Sequence, residues 1–408
     1  MPRPPKNELD DYRAQASAWF AEHVPPDPGF MLPLTFMEVG TDDQFHFLVD
    51  WQNAVYEAGY LGAAWPKEYG GGGLHQAFQD IATEEMRRHG SPIMMNTIGL
   101  SWAGPLILDM GTEEEKKRYI QGILSAEDIW CQGFSEPENG SDLGNAQTRA
   151  VRDGDEWVVN GTKTWTTHGN YAKYMILLAR TIPDTPNKYA GLSFFLAPMK
   201  VPGVETVPIR KLTGEYGFTE TYFTDARIPG DCLMGEEGQG WGVAMRTLEY
   251  ERSARGGQAG GYSITVPDHE DTIELAKRAR RGGKPAVEDP VVADKLVELL
   301  IEGRGIQLSM ARAGLGPLVQ ERPMSLPLSS KLMNTEFVRR LNEFAITMQG
   351  TQGGYWLDDP EAIDGGLWQR AYLNAFSATI GGGTSQVQAN IVAEHVLGLP
   401  KHNAGEKR

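Results

Sequence analysis

The spacing of apolar residues changes twice along this chain, and that double change constrains the fold more than any other feature. From residue 6 to about 125 the apolar positions recur at helical spacing. Leu9 to Phe20 forms one such run, closed by Pro25-Pro26, and Phe45 to Tyr60 and Ala77 to Arg88 form two more. Glu113-Glu114-Glu115-Lys116-Lys117 opens another helix with acids in its first turn, where the dipole favours them. Near Ile129 the pattern shortens to β-type runs: Trp157-Val158-Val159, Met175 to Leu178, Leu192 to Leu196 and Thr219 to Phe223. Gly154, Gly161, Gly191 and Gly203 punctuate these runs. From Gly240 the helical period returns, with further helices expected over Asp294 to Ala313, Ser329 to Met348, Ala371 to Ile380 and Val387 to Leu397. The charged stretch Pro267 to Pro290 reads as a loop or short-helix insert on the surface. All-α, all-β, all-α predicts a multi-domain α+β chain. Its parts are a helical N-terminal domain (1–127), a central antiparallel β-domain (128–236) and a helical C-terminal domain (237–408). The same order argues against a doubly wound parallel sheet. No Gly-x-Gly-x-x-Gly or Walker A loop supports a nicotinamide or P-loop reading.

Charge narrows the function classes. The 408 residues carry 38 Lys+Arg against 54 Asp+Glu, a net charge of 38 − 54 = −16. Such a chain repels phosphate backbones and anionic lipid, so nucleic-acid and membrane-surface roles are disfavoured. An anionic cofactor is still compatible, because backbone N–H groups can hold phosphates. Cys131 and Cys232 give neither a disulfide framework nor metal spacing, which suits a reducing cytoplasm. The N-terminus runs into Glu8-Leu9-Asp10-Asp11 without an apolar core, so no signal peptide is expected.

Three segments carry candidate chemistry. Phe134-Ser135-Glu136-Pro137-Glu138-Asn139-Gly140-Ser141-Asp142 crowds Gly, Pro and hydroxyls where helices give way to strands. It could aim donors at an anion or a heteroaromatic ring, or be an ordinary helix-to-strand turn. Asn160 to Gly169 places Trp165 among hydroxyl side chains; the indole suits a planar cofactor or a β-domain core equally. His168 in this segment reads as structural. Gly381-Gly382-Gly383-Thr384-Ser385-Gln386 lies between two helices, either a close-approach site for a ligand or a plain interhelical turn.

Taken together, these segments resemble the acyl-CoA dehydrogenases, flavoproteins that desaturate acyl-CoA thioesters at Cα–Cβ. The likeness runs over nearly the whole chain. Trp65-Pro66-Lys67-Glu68-Tyr69-Gly70-Gly71 resembles the N-terminal-domain turn, and Phe134-Ser135-Glu136-Pro137 with Gly140-Ser141-Asp142 resembles the first signature. Lys163-Thr164-Trp165-Thr166-Thr167 resembles the flavin-facing strand. Tyr222-Phe223 through Arg227-Ile228-Pro229 resembles the end of the β-domain, and Gly383-Thr384-Ser385-Gln386 with Gln388 the C-terminal signature. The resemblance implies a C-terminal four-helix bundle and FAD as cofactor. Phe134 would sit by the flavin through its backbone, Ser135 near N5 and O4, and Ser141 at the pyrophosphate. Trp165 would lie against the isoalloxazine and Thr167 would hydrogen-bond it, with Thr384 and Gln386 at the far end of FAD.

The chain departs from the commonest family pattern at the base. Many members carry a catalytic Glu immediately before the Gly-Thr of the C-terminal signature; here that residue is Gly382. On the helix beginning at Gly240, residues Trp241, Ala244, Met245 and Leu248 predict a buried face centred near Arg252. Glu251 and Glu249 are expected about 70–90° to either side of it. A carboxylate at an apolar margin is partly desolvated, which suits a general base. The resemblance implies that Glu251, in the Glu251-Arg252 pair, is the base. It implies that Glu249 and Arg252 hold the pantetheine of CoA, and that the Gly382 N–H polarises the thioester carbonyl. The loss of a side chain at Gly382 predicts room for a bulky, branched or ring-bearing acyl group. The partners implied are an acyl-CoA, an electron-transfer flavoprotein and either a homotetramer or an α2β2 heterotetramer. The alternatives are a non-catalytic partner subunit and a flavin oxidase or monooxygenase on the same fold.

Overall fold

A computed structural model describes residues 2–252, 259–261, 266–313, 315, 325–357 and 359–400. They form two compact units, 1–265 and 266–408.

The first unit opens with α1 (Lys6–His23), α2 (Asp42–Glu57), α3 (Gln76–Arg88), α4 (Gly104–Met110) and α5 (Glu113–Ser125). The expected acid-rich start of α5 is a capping box. The Thr112 hydroxyl accepts from the Glu115 N–H, and the Glu115 carboxylate accepts from the Thr112 N–H at 2.6 Å.

The sheet follows: β1 (Trp130–Gly133), β2 (Arg149–Asp153), β3 (Glu156–Thr167), β4 (Tyr174–Arg180), β5 (Leu192–Pro198), β6 (Val204–Ile209), β7 (Phe218–Pro229) and β8 (Leu233–Met234). Its order is β6-β7-β3-β2-β4-β5-β8, with β1 beside β4. Pairing is antiparallel except that β1 and one bridge of β2 run parallel to β4. Strands β4 and β5 are buried on both faces, which explains their unbroken apolar runs. Ile176, Leu178, Phe194 and Leu196 face the core shared with the helices. Met175, Leu177, Phe195 and Ala197 face a second core with Trp157.

Helix α6 (Gly240–Arg252) closes the unit against β5. A Cβ on Gly240 would lie 2.4 Å from the Ser193 carbonyl carbon, so only glycine lets the helix start this close to the strand. That contact rotates the helix away from the expected facing. The buried residues are Gly240, Val243, Ala244 and Thr247, while Trp241, Met245 and Leu248 are half-buried. The apolar pattern misplaced the inward face because a glycine and a threonine define it.

The second unit contains α7 (His269–Arg278), a hairpin of β9 (Arg280–Arg281) and β10 (Lys284–Pro285), α8 (Pro290–Ala313), α9 (Ser325–Met348), α10 (Leu367–Ala378) and α11 (Ser385–Ile391). The Pro267-to-Pro290 segment contains a short helix, as one of the two expected readings had it, but the helix is packed into a core and is not a surface insert. Helix α7, with an Asp268/Asp271 capping box, buries Leu275 and Ala276 with Ala279, Ala286, Val292 and Trp368. Its charges lie on the outward stripe, and they outnumber the buried Thr272, Leu275 and Ala276 in the sequence. Among the described residues no helix is long and apolar enough to cross a membrane.

Candidate active site

The loop from Phe134 to Thr148 and the end of β3 are built as one piece. The Phe134 ring is 5 % exposed and packs edge-on against Phe194. The Phe134 carbonyl accepts from Lys163 Nζ at 3.0 Å, and the Ser135 carbonyl accepts from the Thr164 N–H at 2.9 Å. Lys163 is fully buried and ion-paired with Glu136 at 2.8 Å. Glu136 also accepts from the N–H groups of Gln147 (2.6 Å) and Thr148 (2.8 Å). Burial alone would raise the Glu136 carboxyl; the Lys163 ammonium and the two N–H donors outweigh it and hold the group below the usual carboxylate range. The far end of the loop is gripped by Arg180, whose guanidinium donates to the carbonyls of Gly144, Ala146, Lys188 and Ala190 at 3.0–3.2 Å. Ser141 lies between these anchors, exposed, next to an Asp142–Lys188 ion pair.

Trp165 is no core residue. Between Lys163↔Thr221 and Thr166↔Thr219 the register of β3 on β7 slips, three steps on one strand meeting two on the other. This β-bulge aims the side chain outward. Trp165 takes φ +58° and is 57 % exposed, whereas Trp157 in the same strand is 1 % exposed. A bulky residue in left-handed conformation costs about 1–3 kcal/mol and persists only where its surroundings enforce it. Its ring meets Phe218 edge-on at 5.7 Å. Thr167 follows, largely buried. His168 is structural, as expected: it is fully buried and bonds through Nε2 to the Phe36 carbonyl. Burial pushes its pKa down to about 4.

Along α6, at about 100° per residue, Glu251 falls about 20° from Gly240 and Ala244, in line with the buried stripe. Its side chain is half-buried. Glu249 falls on the opposite side of the helix, exposed, paired with Arg246 at 2.7 Å. Arg246 also binds Asp109 of α4 at 2.7 Å, and Tyr250 donates to the same carboxylate. The structure therefore does not bring Glu249 together with Glu251. Arg252 ends α6; its side chain lies outside the described residues.

In the second unit, Gly382 and Gly383 adopt φ +65° and +96°. The turn is held by donation from Lys331 of α9 to the Gly383 carbonyl, from Gln388 to the Gly382 carbonyl (2.9 Å), and from Ser385 to Glu336. Thr384 caps α11, its hydroxyl accepting from the Val387 N–H at 3.2 Å. Gln386 is exposed, and the inward glutamine is Gln388.

Arg180, Lys331 and Glu336 escaped the sequence analysis, and Glu136 and Lys163 stood there only as parts of their segments, without their pairing. Lys163 alone left a signal. It shares the parity of buried Trp157 and Val159 on β3, and a charge on a core-facing position requires a partner.

The exposed indole of Trp165 offers a ring face that a planar cofactor can stack on, and Thr164, Thr166 and Thr167 beside it are largely buried. Comparison with known proteins agrees over the whole chain. The descriptions "Acyl-CoA dehydrogenase, N-terminal domain", "middle domain" and "C-terminal domain" match residues 7–127, 131–226 and 238–397. The acyl-CoA dehydrogenase IpdE1 of Mycolicibacterium smegmatis is 35 % identical, covering 98 % of this chain and 100 % of the relative. The human mitochondrial short-chain specific acyl-CoA dehydrogenase is 32 % identical over 83 % of this chain and 80 % of its own. Among solved structures, the Tcur3481-Tcur3483 steroid ACAD superposes with a TM-score of 0.79 at 29 % identity, covering 98 % and 99 % of the two chains. The ChsE4-ChsE5 complex from Mycobacterium tuberculosis gives 0.78 at 26 %, covering 99 % and 100 %. The fold and site thus define an FAD-dependent oxidoreductase acting on CH–CH groups. The chain belongs to the acyl-CoA dehydrogenase family.

Proposed function

We propose that this chain desaturates an acyl-CoA thioester bearing a bulky or ring-containing acyl group, with Glu251 as the base. The observation that carries this reading is the facing of α6. Gly240, Ala244, Thr247 and Glu251 form one inward stripe, so the only acid on that stripe is half-withdrawn from water. The Glu251 carboxylate takes the α-proton. The Gly382 N–H donates to the thioester carbonyl and makes that proton acidic; a backbone donor is unaffected by the absence of a carboxylate side chain here. FAD, when bound, supplies the acceptor for the hydride leaving Cβ. Phe134, Ser135, Ser141, Trp165 and Thr167 would hold its ring and pyrophosphate, and by family resemblance Thr384 and Gln386 would contact the far end of an FAD. Arg252 would hold pantetheine, and Glu249 would join it only by leaving Arg246.

The bulky-acyl preference is supported by Gly382, which adds no side chain, and by likeness to a steroid ACAD. That relative and the ChsE4-ChsE5 complex each pair two different chains, which favours an α2β2 assembly over a homotetramer. An electron-transfer flavoprotein would be the partner that accepts the electrons removed from the acyl group.

The test is anaerobic bleaching of the FAD-loaded protein by a panel of acyl-CoA esters, using wild type and Glu251→Gln. Ring-bearing esters should bleach wild type fastest and leave Glu251→Gln yellow. Equal bleaching of both proteins sinks the assignment of the base, and a preference for butyryl-CoA sinks the assignment of the acyl group.

A further inference from the structure

We propose that Lys163 is a positioning residue for the flavin-facing wall: its buried ammonium, paired with Glu136, fixes the Phe134-Ser135 loop against the bulge that turns Trp165 outward. This rests on the reading that this loop and the indole flank the flavin ring.

The connections run in a consistent direction. Two consecutive residues of β3, Lys163 and Thr164, bind two consecutive carbonyls of the loop, those of Phe134 and Ser135. The first bond is made by a side chain and the second by a backbone N–H. Lys163 pairs with Thr221 and Thr166 with Thr219, so Thr164 and Trp165 together span the single step at Glu220, and the Thr164 N–H is met by Ser135. The same slip exposes Trp165. Loop and indole are therefore set by one local arrangement, and Lys163 is its internal strut.

An ammonium is an unfavourable way to fill a core. Lys163 is completely buried, and burial pushes its pKa down while Glu136 opposes the shift. An apolar residue of similar length would fill the same volume without desolvation. It could not donate to the Phe134 carbonyl. Glu136 in turn reaches past Lys163 to the N–H groups of Gln147 and Thr148, so the pair spans the loop from its first residue to its last. Lys163 touches neither cofactor nor substrate in this reading; it acts through the two carbonyls and the indole.

The experiment uses the full chain with Lys163→Met/Glu136→Gln. This double variant removes both charges together, keeps one of the two side-chain oxygens that accept from Gln147 and Thr148, and deletes the donor to Phe134. Three quantities are read: the FAD dissociation constant, the visible circular dichroism of bound flavin, and the melting temperature of the apoprotein. The expected result is FAD binding weakened about tenfold or more and an altered flavin dichroism band, at temperatures well below melting. An unchanged dissociation constant and band, with only the melting temperature moved, would assign the pair to structure alone and overturn the proposal. Should the double variant not fold, Lys163→Gln removes the ammonium donor to the Phe134 carbonyl while leaving a polar group opposite Glu136: FAD binding weakened at least threefold supports the role, and unchanged binding overturns it. Ser135→Ala and Trp165→Ala separate the two readings. If neither weakens FAD binding, the flavin face itself is misplaced. If both weaken it while the charge-pair variants do not, only the role of Lys163 fails.

Discussion

Two regions of this molecule are held in opposite ways. The wall made by residues 134–148 and the end of β3 is fixed from inside, by a buried ion pair, a four-carbonyl guanidinium clamp and a sheet bulge. The turn at residues 381–384 is fixed by glycine dihedrals and by polar side chains of α9 and α11 that reach its carbonyls. The wall presents side chains, while the turn presents backbone. A surface that must offer a ring and hydroxyls needs rotamers locked from behind. A surface that must offer an N–H needs only a fixed chain path, and a side chain there would obstruct it.

The sharpest break between the regions is chemical. Glu251→Gln should slow single-turnover flavin reduction by about 10²–10⁴-fold, the usual worth of a general base. Gly382→Ala retains its N–H and should slow it far less; stopped-flow absorbance of the flavin band checks both.

Within β3 the two tryptophans should respond oppositely. Trp157→Ala opens a cavity in a closed core and should cost about 3–5 kcal/mol by denaturant unfolding. Trp165→Ala removes a largely exposed ring and should change stability by under about 1 kcal/mol, while weakening FAD binding about tenfold. Comparable losses of stability in the two variants would contradict the outward placement of Trp165.

Acid should distinguish the first unit next. The His168 pKa is depressed to about 4 in the folded state, against an ordinary value of about 6.5 in the unfolded chain. The unfolded state therefore binds the extra proton between those values. The contribution is full above about pH 6.5 and is lost, at about 1.4 kcal/mol per pH unit, as pH falls towards 4. His168→Gln, which can still donate to the Phe36 carbonyl, should flatten the acid limb of the stability curve. An unchanged slope would place the acid sensitivity elsewhere.

The smallest effects belong to the turn. Gly382→Ala places a Cβ at φ +65° and should cost about 1–2 kcal/mol. Thr384→Ala removes the cap of α11 and should cost about 1 kcal/mol. Thermal melts of both should show shifts of a few degrees.

The sequence made the order of elements readable because periods of 3.6 and 2 are imposed by side chains that meet a core. It misjudged α6 because the residue that sets its facing, Gly240, acts by having no side chain. It misplaced Pro267 to Pro290 on the surface because charges on one stripe of α7 outnumber the small residues buried on the other. For the proposed site, loop composition and family likeness point to Phe134, Ser135, Trp165 and Thr384. They do not point to Arg180, since its four acceptors are backbone carbonyls, which every residue carries and no sequence distinguishes. Glu336 and Lys331 lie about fifty residues before the turn they hold, on a helix whose pattern explains them equally well as solvated charges.

The slip in β3 has a consequence for how such a surface can arise. Regular pleating would set residue 165 on the same side as Trp157, Val159 and Lys163, and the indole would be walled in. One extra residue turns that inward coordinate outward and leaves every pairing before it untouched. A sheet that already folds can thus acquire an outward-facing aromatic by a single insertion, with no redesign of the layer behind it.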